Sequence, residues 1–131
     1  IKFDNIKGTY MWDVEFFKNN KGEVPVEEFL DSISDVKLRA KMVKEIELLV
    51  EFGSKLREPH TKPINDDRGS MFELRAKQSS NISRVFFFYV KGKKIILLNG
   101  FVKKSDKTPK THINLAYKYK KMYEKRCKDE K

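Results

Sequence analysis

SRVFFFYVKGKKIILLNGFVKKSDKTP, residues 83–109, is the stretch on which the fold turns. Two apolar runs, Val85 to Val90 and Ile95 to Leu98, flank Lys91-Gly92-Lys93-Lys94, the pattern of a β-hairpin. Each run is nearly continuous rather than alternating, so each strand is expected to be covered on both faces and to lie at the sheet centre. Either Lys91-Gly92 or Gly92-Lys93 can supply a two-residue turn. Both choices place Arg84, Phe86 and Phe88 on one face with Leu97, Asn99, Phe101 and, if the strand stays regular that far, Lys103. Val85, Phe87 and Tyr89 are then expected to share the other face with Ile96, Leu98, Val102 and Lys104. Arg84 and the Lys103-Lys104 pair therefore gather at the end of the sheet away from the turn, a cationic rim on an aromatic sheet.

Outward from the hairpin, Phe72, Leu74 and Ala76 alternate with Glu73, Arg75 and Lys77, which marks a strand before it. An even-residue connection through 78–82 puts Arg75 on the Arg84 face; an odd one puts it on the other. Residues 54–70, with Pro59 and Pro63, read as a loop. Further back, Leu38, Met42, Val43, Ile46, Leu49 and Val50 line one face of a helix that Gly53 ends. A shorter helix precedes it, opened by Pro25 and striped by Val26, Phe29, Leu30 and Ile33. Trp12, Val14 and Phe16 alternate as a first strand, closed by the turn residues Asn19-Asn20-Lys21-Gly22. After the hairpin, Thr108 is placed as an N-cap and Pro109 as the first residue of a third helix, striped by Ile113, Ala116, Tyr117 and Tyr123 and dense in lysine. The order β-α-α-β-β-β-α specifies an α+β fold: an antiparallel sheet packed against a helical hairpin, with a basic C-terminal helix.

A chain of 131 residues, 39% apolar and 37% charged, makes one globular domain. Met11 is a candidate initiator, so residues 1–10 are assigned to an N-terminal extension or tag-derived segment and residues 11–131 to the domain. No run approaches the ~18 to 20 apolar residues of a membrane span. Cys127 stands alone in a charged tail, which excludes a disulfide framework and points to the cytoplasm. One cysteine with only His60 and His112 argues against a structural zinc site; no metal or cofactor is expected. The net charge is +10, and from Lys103 onward eleven Lys and Arg face four acids. Charge this localised points to an anionic partner, although a solvated helix with a basic tail would show it too.

Several segments are specific in order and spacing: Pro25-Val26 with Glu28-Phe29-Leu30, Phe72-Glu73-Leu74-Arg75, Arg84-Val85-Phe86, residues 96–104 (ILLNGFVKK) and Lys107-Thr108-Pro109-Lys110. Together they resemble the phage-derived HigB-like branch of the RelE toxin superfamily, over roughly Trp12 to Arg126. Ser105, where Thr is usual, and Thr111-His112, where an acidic residue often completes the cap, depart from the pattern. The resemblance implies a RelE-like fold and the toxin of a type II toxin-antitoxin pair: a metal-independent endoribonuclease acting on mRNA at the ribosome, silenced by a HigA-like helix-turn-helix antitoxin.

Cleavage of RNA by its own 2′-hydroxyl needs a base, an acid and a cation for the phosphorane. Arg75 and Arg84 are assigned to the charge, because a guanidinium grips phosphate in two places and stays protonated. One of Lys103, Lys104 or Lys107 is assigned to proton transfer, since crowding among cations lowers a lysine pKa. Lys62, Lys110, Lys118 and Lys120 are candidate phosphate-backbone contacts, with solvated surface lysines as the competing account. Tyr89 and His112 complete the candidate RNA-binding set; Tyr89 is also suited to packing under a helix, and His112 to capping or solvent. Phe86 and Phe88 are either core or a stacking platform, and Arg84 could merely solubilise an edge strand. Glu73 and Glu28 read as surface charges. An inert RNA- or ribosome-binding module, or a degenerate toxin kept for antitoxin binding and autoregulation, would carry the same basic face.

Overall fold

The computed structural model describes residues 6–8, 11–103 and 108–130, the first three by backbone alone. Its elements are β1 (Ile6–Gly8), β2 (Met11–Phe16), α1 (Pro25–Ser32), α2 (Val36–Phe52), β3 (Thr61–Pro63), β4 (Phe72–Gln78), β5 (Asn81–Val90), β6 (Lys94–Lys103) and α3 (Lys110–Asp129). The α+β order expected from the sequence is the one observed, with two short strands added. One is β1, paired antiparallel to β2. The other is β3, inside the stretch read as a loop; Pro63 is tolerated there because the strand lies at the sheet edge.

All six strands form one sheet in the order β1-β2-β6-β5-β4-β3, so the quoted hairpin occupies the middle. The sheet is mixed: β2 runs parallel to β6, with Val14 opposite Ile95, while β4, β5 and β6 form the antiparallel meander. Helices α1 and α2 cover one face, packing Leu30, Met42, Ile46 and Leu49 on Val14, Leu74, Val85, Phe87, Ile95 and Leu97. Helix α3 covers the other, with Ala116 and Tyr117 on Phe86, Phe88, Ile96, Leu98 and Phe101. Two-sided cover is what the continuous apolar runs demanded. It also removes Phe86 and Phe88 as a stacking platform, since both are buried beneath α3.

The hairpin register corrects the expected faces. Val90 pairs with Lys94 across a three-residue turn, in which Gly92 and Lys93 both have positive φ. That extra residue puts Ile95 and Leu97, rather than Ile96 and Leu98, on the face of Val85 and Phe87. A β-bulge at Leu98 then restores the parity: Phe87 pairs with Leu97 but Phe86 with Asn99. Beyond it Arg84 lies opposite Phe101, sharing a face as expected, because the two irregularities cancel.

Cap chemistry sets the helix ends. Asp35 accepts from the backbone N–H of Lys37 and Leu38 at the start of α2. Gly53, at φ +53°, ends α2 beneath the Trp12 indole. A Cβ there would sit 2.0 Å from the indole ring. Gly53→Ala is therefore expected to destabilise the protein by about 3 kcal/mol, overpacking and left-handed strain together, read as a lower urea midpoint at unchanged slope.

Candidate active site

Strands β4 and β5 are joined by the two-residue turn Ser79-Ser80, an even connection, so Arg75 falls directly opposite Arg84 on the α3 face. Two guanidinium groups side by side repel unless something anionic lies between them. Glu73, two residues from Arg75 and on the same face, is that anion. Its Oε1 accepts from Arg84 Nη1 at 2.5 Å and lies 3.7 Å from Arg75 Nε. Thr108 Oγ1 closes the ring, accepting from Arg84 Nη1 at 2.9 Å and donating to Glu73 Oε2 at 3.1 Å.

Two expectations change here. Glu73 is not a strand-surface charge: at 1% exposure it is as buried as Arg84, also at 1%. Nor does Thr108 cap α3, because its hydroxyl is engaged by the ion pair and Pro109 occupies the N-cap position. The same geometry excludes Arg84 as an edge solubiliser, since β5 is central and its guanidinium is internal. Alternation alone, with the even turn, already put Glu73 on the Arg75 face; its burial followed only once α3 covered that face. Arg75 keeps 24% of its side chain exposed at the rim.

Around this anchor the first turn of α3 builds one wall. The His112 ring stacks on Phe101 at 4.2 Å and 1° between planes, and its backbone carbonyl accepts from Asn99 Nδ2 at 3.2 Å. Burial, with a further push from the Lys103 ammonium, holds the imidazole below its ordinary value of 6.5. It is thus mainly neutral at pH 7, with a ring nitrogen able to accept a proton. Lys103, opposite Ile82, stands past Phe101 at the end of the Arg84 face. Lys77 shares the row with Ile82 and Lys103, a cation that strand alternation alone does not single out.

The remaining candidates scatter. Lys62 is exposed on β3 directly opposite Glu73, on the flank of the site. Lys110 opens α3, close enough to help hold the Asp66 carboxyl low, though the Arg68 hydrogen bond contributes more and takes it to about 2. Lys118 is exposed about 12 Å further along the α3 axis. Lys120 points away, its ammonium 2.8 Å from the Ser70 carbonyl and over the Phe88 ring. Tyr89 is on the α1/α2 face near the hairpin turn, edge-on to Trp12, Phe72 and Phe87, and burial raises its hydroxyl pKa. Lys104 and Lys107 lie outside the described residues. Among those described, no helix is long and apolar enough to cross a membrane.

Removing one member of the buried ring strands its partner's charge. Glu73→Ala is expected to cost about 3 kcal/mol and Arg84→Ala a similar amount, whereas the double variant should cost clearly less than their sum; urea denaturation of the cycle measures this. The depressed His112 pKa adds a pH signature. The unfolded imidazole binds its proton more readily, so stability from this group is present above about pH 6.5 and lost as pH falls through the lower folded pKa. His112→Phe should flatten that part of the acid decline in a comparison of denaturation midpoints between pH 7.5 and 5.5.

No curated protein sequence matches the chain. The family model for the Phage derived protein Gp49-like group matches residues 28–121, from the middle of α1 to the body of α3, and includes every described residue of the Glu73–Arg84–Thr108 ring. The chain belongs to the phage-derived Gp49-like family, a group of RelE-type, toxin-like proteins.

Proposed function

We propose that this protein is a HigB-like toxin of a type II toxin-antitoxin pair, an endoribonuclease that cuts mRNA in the decoding site of the ribosome, in the cytoplasm. The observation that carries this is the cross-strand Arg75–Arg84 pair: Arg84 is locked inside by Glu73 and Thr108, and Arg75 is left at the rim beside the α3 wall. A cation held against a like charge by a buried carboxylate is preorganised for an incoming phosphate. Family membership supports the same assignment.

In this mechanism Arg75 grips the non-bridging oxygens of the scissile phosphate. Arg84, too buried to touch RNA, positions it through Glu73. The 2′-oxygen attacks phosphorus and the bond to the 5′-oxygen breaks, leaving a 2′,3′-cyclic phosphate and a 5′-hydroxyl. The neutral His112 imidazole is suited to take the 2′-hydroxyl proton, and Lys103 to protonate the departing 5′-oxygen. Lys104 and Lys107, grouped with Lys103 in the sequence as neighbouring cations, are alternatives to it for proton transfer. Lys62 and Lys110 flank the path as backbone contacts, with Lys118 further along it. A net charge of +10 calls for an acidic segment on the silencing partner, proposed to be a HigA-like helix-turn-helix antitoxin.

Because Arg84 is internal, its removal confounds folding with chemistry, and Arg75 is the cleaner probe. Arg75→Ala is expected to keep the folded circular dichroism spectrum while ribosome-dependent cleavage of a defined mRNA falls by about 10²-fold or more and growth arrest on induction is lost. Full toxicity from the folded variant would overturn the assignment. Growth arrest with intact transcript 5′ ends would make the wild type a binder instead of a nuclease.

A further inference from the structure

Outside the Glu73–Arg84–Thr108 ring lies a cavity of about 400 Å³ between α2 and the edge of β4. Strand β3 covers β4 only as far as the Thr61–Leu74 pair, with one further bond from Arg75 N–H to the His60 carbonyl, so Ala76 to Gln78 form an uncovered margin. Four cations line the cavity: Lys41 and Lys44, one turn apart on α2, with Arg75 and Lys77 from β4. The carboxylate among them, Glu45, is hydrogen-bonded to His60 Nδ1 at 2.7 Å. The apolar part of the lining comes from Pro59, Ala76 and Ile82. Cations beside an apolar surface suit a ligand with an anionic end and a flat, weakly polar body.

We propose that this cavity receives one nucleotide of the RNA strand, its phosphate against Lys41, Lys44 and Arg75 and its base on Pro59, Ala76 and Ile82. The proposal rests on the nuclease assignment and extends it, because Arg75 borders both spaces and links the cavity to the scissile phosphate. The volume lies at the lower end of the ~300 to 1,000 Å³ of small-ligand sites, the scale of a single nucleotide. An added peptide strand fits less well. The outward Arg75 N–H already donates to the His60 carbonyl at 2.8 Å, and the Lys77 carbonyl already accepts from Lys41 Nζ at 3.1 Å.

The test uses the purified full chain and a fluorescent, uncleavable 2′-O-methyl hexaribonucleotide. Lys41→Glu with Lys44→Glu, both exposed positions, should weaken binding at least tenfold and flatten the slope of log affinity against log salt by about one. Lys21→Glu with Lys125→Glu, exposed positions before α1 and near the end of α3, changes net charge equally away from the cavity and should do neither. In methyl NMR the oligonucleotide should shift Ala76 and Ile82. Equal losses in both double variants, unmoved methyls, or tighter binding of hexaglutamate at the same methyls would each overturn the proposal, the last in favour of an acidic peptide. Arg75-dependent cleavage with unmoved methyls sinks only the cavity proposal. Uncut message with the oligonucleotide still seated there sinks only the nuclease assignment.

Discussion

A carboxylate and a guanidinium, both removed from water, hold this structure's functional end in register. Desolvating such a pair consumes most of its Coulombic attraction, so the Glu73–Arg84 contact is weak evidence for stability in itself. Its effect is on arrangement. It ties β4 to β5 at one level of the sheet, and through the Thr108 hydroxyl it fixes where the chain re-enters to begin α3. The His112 wall, the level of Phe101 and the outward pose of Arg75 all follow from that closure.

Much of the fold was legible because hydrophobic period and turn chemistry agree along the chain. Trp12, Val14 and Phe16 alternate and do share the α1/α2 face; Leu38, Met42, Ile46, Leu49 and Val50 of the helical stripe are buried, with Val43 only partly so; Gly53 ends the helix where a side chain cannot fit. The hairpin was legible as central but not in register, because Lys91-Gly92-Lys93 supports two-residue and three-residue turns alike. Strand β3 was hidden by Pro63 within it, by Pro59 just before it and by its brevity. A three-residue edge strand has too little periodicity to separate it from a loop.

The site was legible in its cations and obscure in its anion. Arg75, Arg84 and Lys103 share one face: strand parity expected this of Arg84 and Lys103 and left Arg75 to the length of the connection through 78–82. What sequence could not supply was depth: a central strand under a helix and an edge strand in water can both read Arg-x-Phe. Burial converts Arg84 from a contact residue into a support and Glu73 from decoration into its counterion. Thr108 illustrates the same limit, since a threonine before a proline satisfies a helix cap and a side-chain network equally well until the third dimension chooses. Tyr89 was separated from the cluster by position along its strand, and the structure adds that it faces the opposite layer.

The surplus residue at Leu98 has a consequence for how this fold can vary. It splits the long hairpin into two sections whose side-chain parities are set separately, the tip by the turn around Gly92 and the Arg84 end by the bulge. A relative that trimmed its tip by one amino acid could drop the bulge as well, and would keep the arginine's neighbours while exchanging which layer receives Ile95 to Leu98.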